Sequence, residues 1–212
     1  MPYGVIAIMT VYHPTQIHVR NARLIMEQVD WLFVFDNSSV DSAAFFSDLK
    51  KCTYTCHNKN MGLSRAFNYV LKTFSNSISE DAVVLFFDQD TVIPENHISK
   101  LYGAFKALRN LGEPVGAIGP VYIDANDGKT RCPKHCKWLT RESMRVRTLI
   151  TSSMLCEYST LKEIGFWNEK IFLDMADWDL CWRFRRHGYS CCMTRASEIC
   201  HAVGELKRGS TM

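Results

Sequence analysis

Polar residues follow four successive apolar segments in the first half of the sequence, and Asp88-Gln89-Asp90 is the most acidic of these clusters. It comes directly after the apolar run Val83–Phe87. Two carboxylates separated by one residue on an extended segment point the same way, and together they suit a hard divalent cation such as Mg²⁺ or Mn²⁺. Aspartate is also common in solvated turns at strand ends, so a turn explains the same residues without a metal.

A second cluster, Asp36-Asn37-Ser38-Ser39, follows the apolar run Trp31–Phe35. An acidic residue at a strand end can accept a hydrogen bond from a ribose hydroxyl or a base. Helix caps and Asx turns use the same residue types, and for Ser38 and Ser39 that interpretation is at least as strong. The cluster therefore indicates a ligand contact at its start and an ordinary turn after it.

The third cluster lies in Asn60-Met61-Gly62-Leu63-Ser64-Arg65-Ala66-Phe67-Asn68, where a helical pattern begins. Gly62 allows a tight turn in which the backbone approaches a ligand closely, and helix N-termini attract phosphate. Asn68, one turn into the helix, is placed to reach a base or sugar. An ordinary capped helix start is the alternative. The sequence contains neither G-x-G-x-x-G nor G-x-x-x-x-G-K-[ST], so dinucleotide-binding and P-loop interpretations have no support.

Near the end of the chain, acidic residues open a helical pattern beside aromatic ones. These residues are Asp174, Asp177 and Asp179, with Trp167, Trp178 and Trp182. The arrangement suits a general base next to a sugar-stacking side chain, although acidic residues also stabilise a helix N-terminus through its dipole. His201 becomes a candidate ligand only if a metal site is already argued, since a lone histidine is more often structural.

The elements that carry these clusters alternate between strand and helix. Continuous apolar runs predict strands covered on both faces, at Gly4–Val11, Trp31–Phe35, Thr53–His57 and Ala82–Phe87. Helical patterns between the runs predict βαβ units and a mainly parallel sheet, hence an α/β protein. In such sheets ligands bind beyond the carboxyl ends of the strands, which is where the clusters lie.

The second half predicts a mixed set of elements with no linker. They are a helix over Pro94–Leu111, a strand over Val115–Ile123, a polar loop and candidate mobile flap over Asp124–Trp138, a strand over Arg145–Leu155 leading into Thr151-Ser152-Ser153, a capping box at Thr160–Glu163, a helix over Asp177–His187 and a strand over Tyr189–Thr194.

Composition narrows the class of protein. Of 212 residues 47% are hydrophobic and 22% charged, which excludes a disordered chain. A net charge of +3 without a basic stripe argues against a nucleic-acid partner. The sequence has no apolar run long enough for a membrane span and no secretory signal at its start. The nine cysteines, an odd number, are interpreted as reduced cytosolic thiols, because the pairs Cys52/Cys56 and Cys132/Cys136 match no common zinc template.

Taken in order, these segments resemble a family 2 glycosyltransferase with the GT-A fold, over nearly the whole chain. The resemblance rests on Thr10-Val11-Tyr12-His13-Pro14, Val34-Phe35-Asp36-Asn37-Ser38-Ser39, Asn60 to Asn68, Phe87-Asp88-Gln89-Asp90, Ile150-Thr151-Ser152-Ser153, Gly165-Phe166, Phe172-Leu173-Asp174, Asp177, Asp179, Leu180-Cys181-Trp182-Arg183 and Gly188-Tyr189. Within the family, the pattern is similar to bacterial rhamnosyltransferases of O-antigen and capsule assembly.

The resemblance implies a donor site and a metal site. The nucleotide-binding residues would be Thr10, Tyr12, Asp36, Asn37, Asn60, Gly62, Asn68 and Asp88. Asp90 and Asp88 would hold Mg²⁺ or Mn²⁺ on the diphosphate, with His201 as the distal ligand. The residues Thr151 to Ser153 would line the acceptor side.

The resemblance also implies a catalytic base, at Asp177. Many members carry an acidic residue immediately before this aspartate, and here that position is Ala176. The choice among Asp177, Asp174 and Asp179 therefore stays open.

The implied activity is an inverting, metal-dependent transfer of a sugar, with rhamnose from a dTDP donor as the first candidate and UDP as the other nucleotide. The acceptor would be a saccharide or a lipid-linked saccharide in surface polysaccharide synthesis. Residues 1–212 would form a single GT-A catalytic domain, with a nucleotide-binding half over 1–90 and an acceptor and catalytic half over 91–212. The helical tail of relatives would be missing. The location would be cytoplasmic, with peripheral association at the inner face of the plasma membrane.

Two other functions fit parts of the same pattern. A sugar nucleotidyltransferase of similar fold normally has a glycine-rich, basic loop after the first strand, whereas this chain has Thr10–Pro14 there. A non-catalytic nucleotide-sugar-binding protein need not keep acidic residues at both Asp90 and Asp177. Both features favour the transferase.

Overall fold

The computed structural model describes residues 2–124, 127–133 and 136–201, and of His201 the backbone alone. The strands are β1 (Tyr3–Val11), β2 (Trp31–Asp36), β3 (Cys52–Cys56), β4 (Ile78–Asp88), β5 (Val115–Asp124), β6 (Thr130–Arg131), β7 (Lys137–Trp138), β8 (Ser143–Val146), β9 (Met154–Glu157) and β10 (Ser190–His201). The helices are α1 (Gln16–Met26), α2 (Ala43–Phe46), α3 (Leu63–Thr73), α4 (His97–Asn110), α5 (Tyr158–Glu163) and α6 (Ala176–Arg186). No helix in the described residues combines the length and hydropathy of a membrane span.

All the strands belong to one mixed sheet, in the order β3-β2-β1-β4-β9-β5-β10-β8-β7, with β6 beside β5. The first four strands of this order are parallel to one another. The fifth, β9, is antiparallel to both of its neighbours, β4 and β5. The predicted α/β class, with a parallel first half and a mixed second half, is confirmed.

Parallel register brings the carboxyl ends of the central strands to one edge of the sheet. Thr10 on β1 pairs with Asp88 on β4, and Val11 pairs with Asp36 on β2. The apolar runs before these residues are buried on both faces, so the polar residues come at the first position where the strands leave the core. We refer to the edge of the sheet that carries Thr10, Asp36 and Asp88 as the catalytic edge.

Two hydrophobic clusters cover the two faces of the sheet. Successive β1 residues alternate between them, with Ile8 in one and Met9 in the other. One cluster takes side chains from α3, α5 and α6, and the other takes them from α1, α2 and α4. The result is a three-layer arrangement of helices, sheet and helices.

Three local predictions are wrong. Arg145–Leu155 is not one strand, because β8 pairs with β10 and β9 pairs with β4 and β5. The capping box at Thr160 fails because α5 begins earlier, with Glu157 as the N-cap residue and the Thr160 hydroxyl donating to its carboxylate at 3.4 Å. Part of the polar loop Asp124–Trp138 forms the short strands β6 and β7.

Candidate active site

A cavity of about 350 Å³ opens at the catalytic edge. We call it the first cavity, and its lining residues are Thr10, Val11, Tyr12, Asn37, Asn60, Gly62, Leu63, Asp88, Gln89, Phe172 and Leu173. Six of the eight nucleotide-binding residues expected from the sequence are among them. The other two, Asp36 and Asn68, do not line this cavity.

Asp36 organises the end of β2 from within the protein. Its side chain is 0% exposed, and its carboxylate accepts hydrogen bonds from the Ser38 amide at 2.8 Å and the Tyr54 hydroxyl at 2.6 Å. The Ser38 hydroxyl then accepts one from the His13 amide at 2.6 Å. The turn interpretation therefore describes Asp36 and Ser38, while Asn37 is the residue of this cluster that reaches the cavity.

The turn before α3 requires a glycine because another protein segment lies against it. Gly62 has φ +79°, and a Cβ there would lie 2.5 Å from the backbone oxygen of Phe172. That oxygen accepts a hydrogen bond from the Leu63 amide at 2.6 Å. Gly62 thus lets residue 172 approach α3 and close one side of the first cavity, a role that the sequence did not indicate.

Asn68 joins α3 to the segment before α6. It is 2% exposed, and its amide donates to the Trp167 backbone oxygen and to Glu169, both at 2.9 Å. Its side-chain oxygen accepts from the Trp167 amide at 3.0 Å. All of these contacts are within the protein, so the structure does not bring Asn68 to the cavity as the sequence suggested.

The acidic cluster after β4 continues into a turn, so the expectation that Asp88 and Asp90 both lie on an extended segment is wrong. The strand ends at Asp88, whose backbone oxygen accepts from the Thr91 amide at 3.2 Å. Gln89, which sequence reasoning passed over, fixes the turn: its side chain accepts from the Tyr12 amide at 2.7 Å, and its backbone oxygen accepts from Asn21 at 2.9 Å. The one signal in the sequence that could have indicated this role of Gln89 is its position between Asp88 and Asp90.

The segment Thr151–Ser153 holds two of the candidate carboxylates. The Ser152 hydroxyl donates to Asp88 at 2.7 Å, and the backbone of Thr151 makes a hydrogen bond to Asp177. Ser153 has φ +64°, a conformation that a non-glycine residue rarely adopts. Strained backbone of this kind is frequent at functional sites, because the surrounding structure must enforce it.

Asp177 stands out among the three candidate bases. Burial raises the pKa of its carboxyl, and the negative charge of Asp88 raises it further, while a hydrogen bond from the Trp178 amide opposes both. A carboxylate that is desolvated and faces a second carboxylate is a stronger base than one in water.

The other two candidates have different surroundings. Asp179 accepts a hydrogen bond from Arg183 at 2.8 Å and one from Asn168 at 3.4 Å. The same guanidinium donates to the backbone oxygens of Ile164 and Phe166. Asp179 therefore fastens α6 to the preceding segment, whereas Asp174 is exposed.

A second cavity, of about 510 Å³, is lined in part by Trp178, the residue that follows Asp177. Its lining residues include Tyr122, Leu149, Ile150, Trp178 and Met193. The charge of Asp177 contributes to a raised pKa of Tyr122, which places the two side chains near each other. Asp177 thus interacts electrostatically with Asp88, which lines the first cavity, and with Tyr122, which lines the second.

The donor chemistry at the catalytic edge fits a hard divalent cation in part. Asp88 and Asp90 supply carboxylate oxygens, which Mg²⁺ and Mn²⁺ prefer, and such ions leave positions for phosphate and water. Asp90 also lies near His18, where its charge partly offsets the lowering of the histidine pKa by burial. Over the residues whose side chains are described, no three His, Cys, Asp or Glu side chains gather into a metal site. The His201 side chain lies outside them, and its backbone pairs with Asp124.

Comparison with known proteins places this geometry in a family. The sequence model described as Glycosyl transferase family 2 matches residues 18–155. The dTDP-rhamnosyl transferase RfbF of Shigella flexneri is 24% identical over 220 residues, which cover 97% of this chain and 71% of that protein.

Solved structures with a similar fold are larger proteins. GalNAc-T7 with UDP, GalNAc and Mn²⁺ matches 100% of this chain and 45% of its own at a TM-score of 0.69 and 10% identity. The mannosyltransferase PcManGT from Pyrobaculum calidifontis, in complex with GDP-Man and Mn²⁺, matches 99% of this chain and 59% of its own, at a TM-score of 0.68 and 18% identity. S. aureus TarS 1-349 matches 95% of this chain and 60% of its own, at a TM-score of 0.63 and 15% identity. This chain thus spans between 45% and 60% of those proteins.

These likenesses confirm the GT-A fold that the sequence predicted. The match to the family model, rather than the shared fold, favours the transferase over a sugar nucleotidyltransferase. Because the family match covers well over half of the 212 residues, the chain belongs to glycosyl transferase family 2.

Proposed function

We propose that this chain is an inverting, metal-dependent glycosyltransferase that moves rhamnose from dTDP-rhamnose to a saccharide or lipid-linked acceptor in surface polysaccharide synthesis. The observation that carries the proposal is that Asp177, with its raised pKa, interacts electrostatically with Asp88 of the first cavity and Tyr122 of the second. The similarity to a dTDP-rhamnosyl transferase of Shigella flexneri supports the choice of donor. The nucleotides bound in two of the solved neighbours support a nucleoside diphosphate sugar as the class.

In the proposed step, the acceptor hydroxyl oxygen bonds to the anomeric carbon of the sugar. The bond from that carbon to the diphosphate breaks, and dTDP departs with the electron pair. Asp177 takes the hydroxyl proton on a carboxylate oxygen, which makes the oxygen a better nucleophile. In this proposal the acceptor approaches from the second cavity and dTDP leaves into the first, so attack and departure would occur on opposite sides of the anomeric carbon and its configuration would invert.

The first cavity would hold the nucleotide. Thr10, Tyr12, Asn37, Asn60 and Gly62 would contact it directly, since they line the cavity. Asp36 would act through the turn after β2, and Asn68 would act through its hydrogen bonds to the segment before α6.

The cation would be held by Asp88 and Asp90, with His201 as the distal ligand. When bound, it would neutralise the charge that develops on the departing diphosphate. The acidic character of the edge supports this assignment, as does Mn²⁺ in two neighbours of the same fold.

Thermal unfolding with dTDP, UDP and GDP, each with and without Mn²⁺, tests the proposal. A ligand at one hundred times its Kd stabilises a protein by about 2.7 kcal/mol, which for a chain of this size raises Tm by roughly 5–10 °C. We expect the largest rise with dTDP and Mn²⁺ together. A Tm that none of the three nucleotides raises would refute the proposal.

Asp90→Asn should remove the Mn²⁺-dependent part of the rise, because one carboxylate ligand is lost. Asp81→Asn is the matched control, because Asp81 is an exposed aspartate at the other end of β4. If Asp90→Asn keeps the full Mn²⁺ effect, the cation binds elsewhere.

We further propose that the enzyme works in the cytoplasm and rests on the inner face of the plasma membrane. Support comes from the outward face of α6, where Trp178 and Trp182 are 43% and 49% exposed. Met175 precedes them, and Arg185 and Arg186 follow. Exposed tryptophan beside arginine is typical of segments that bind the membrane–water interface.

A further inference from the structure

A histidine that the sequence analysis did not single out lies fully buried behind the catalytic edge. His97, at the start of α4, is 0% exposed. Its Nε2 atom lies 2.6 Å from the Ser153 hydroxyl, and its Nδ1 atom lies 2.8 Å from the Ser197 hydroxyl. The imidazole therefore bridges the segment Thr151–Ser153 and strand β10.

Protonation of this imidazole is disfavoured. Burial and, to a smaller extent, the nearby charge of Lys100 together lower the pKa of His97 to about 4. A neutral imidazole has one donor and one acceptor nitrogen, and a serine hydroxyl can serve either. Both hydrogen bonds are therefore satisfied at neutral pH.

Backbone hydrogen bonds also hold the bridged segment. The Ser153 amide donates to the Phe86 backbone oxygen at 2.8 Å, and φ at Ser153 is +64°. The two preceding residues then make the hydrogen bonds to Asp88 and Asp177 described above. A shift at Ser153 would consequently move the partners of both carboxylates.

We propose that His97 is a positioning residue, which holds Ser153 so that Ser152 and the Thr151 amide set the relative placement of Asp88 and Asp177. The proposal rests on the proposed function, because it assigns to His97 an effect on that reaction. His97 itself touches neither cavity.

Two amide variants separate its two hydrogen bonds. The side-chain nitrogen of glutamine can replace Nε2, and that of asparagine can replace Nδ1. His97→Gln therefore keeps the bond to Ser153, whereas His97→Asn keeps only the bond to Ser197. The assay is release of dTDP from dTDP-rhamnose, with water in place of the acceptor.

We expect kcat to fall about 10- to 100-fold in His97→Asn, since a misplacement near 1 Å costs about that much. His97→Gln should retain most of the wild-type kcat, and the donor KM should stay close to wild type in both. Ser153→Ala should behave like His97→Asn, and it provides the test on its own if the histidine variants do not fold.

Ser143→Ala is the control for loss of a buried hydroxyl. Ser143 bonds to Thr194 of β10 at 3.0 Å, away from the bridged segment. The variant Ser143→Ala should lower Tm without lowering kcat. Equal kcat in the two His97 variants, or a fall in kcat for Ser143→Ala as large as that for Ser153→Ala, would overturn the proposal. Absence of nucleotide binding by the wild type would instead overturn the proposed function.

Discussion

Asp177 and Asp179 are two residues apart on α6, and their surroundings differ. Asp177 is desolvated and faces another carboxylate, so the pKa of its carboxyl is raised. Asp179 is engaged by the guanidinium of Arg183. A proton acceptor gains basicity from the first environment, and a helix gains an attachment from the second. At the residue scale we therefore assign catalysis to Asp177 and stability to Asp179.

Substitution by asparagine should separate these two roles. Asp177→Asn should lower kcat roughly 10²- to 10⁴-fold, the contribution typical of a general base, while the Tm rise with dTDP persists. Asp179→Asn should cost about 2 kcal/mol and lower Tm by roughly 4–8 °C, since a charged hydrogen bond is weakened. Steady-state kinetics and thermal unfolding on both proteins check this. High turnover in Asp177→Asn would return the choice to Asp174 or Asp179.

Two glycines with positive φ provide a second comparison. Gly62→Ala adds a methyl 2.5 Å from the Phe172 oxygen, whereas Gly112, at φ +81°, has nothing within 4 Å of the same position. Backbone strain alone should cost Gly112→Ala about 1 kcal/mol. Strain and the close contact together should cost Gly62→Ala about 3 kcal/mol, a Tm lower by roughly 6–12 °C. Equal Tm losses would mean that residue 172 moves away freely.

At the scale of elements, β1, β2 and β4 were predictable because each contains a continuous apolar run that ends in polar residues. Strands β8 and β9 were not, since an apolar stretch does not show that the chain changes partner within it. The residues of the candidate site also divide into those that the sequence predicts and those that it does not. Residue type marked Thr10, Asn37 and Asp88, whereas Phe172 enters the cavity only through a tertiary contact with α3.

The outward face of α6 carries the membrane proposal. Trp182→Ser should weaken binding to vesicles containing anionic lipid roughly tenfold, since about 1.4 kcal/mol of apolar burial is lost. Trp138, 45% exposed on β7, gives the control Trp138→Ser, which should bind like the wild type. Sedimentation with vesicles measures the membrane binding of both variants. Equal binding by wild type and both variants would exclude α6 as the contact.

At the scale of the whole molecule, both hydrophobic clusters combine side chains from residues 1–90 and 91–212. Ile8 shares a cluster with Leu161, and Ile25 shares the other with Ile199. We therefore propose one folding unit and expect a single calorimetric transition whose van't Hoff and calorimetric enthalpies agree. Two resolved transitions would show that the nucleotide-binding half folds independently of the rest.

The insertion of β9 between β4 and β5 also has a consequence during synthesis. Strand β4 has emerged by Asp88, but its second neighbour is not made until Met154–Glu157. Until then the growing chain has an apolar strand with an open edge, a template for pairing with other chains. The segment that closes this edge also brings Thr151 and Ser152 to the carboxylates. Asp177 is made later still, so a nascent chain would complete its catalytic machinery only after its aggregation-prone edge is covered.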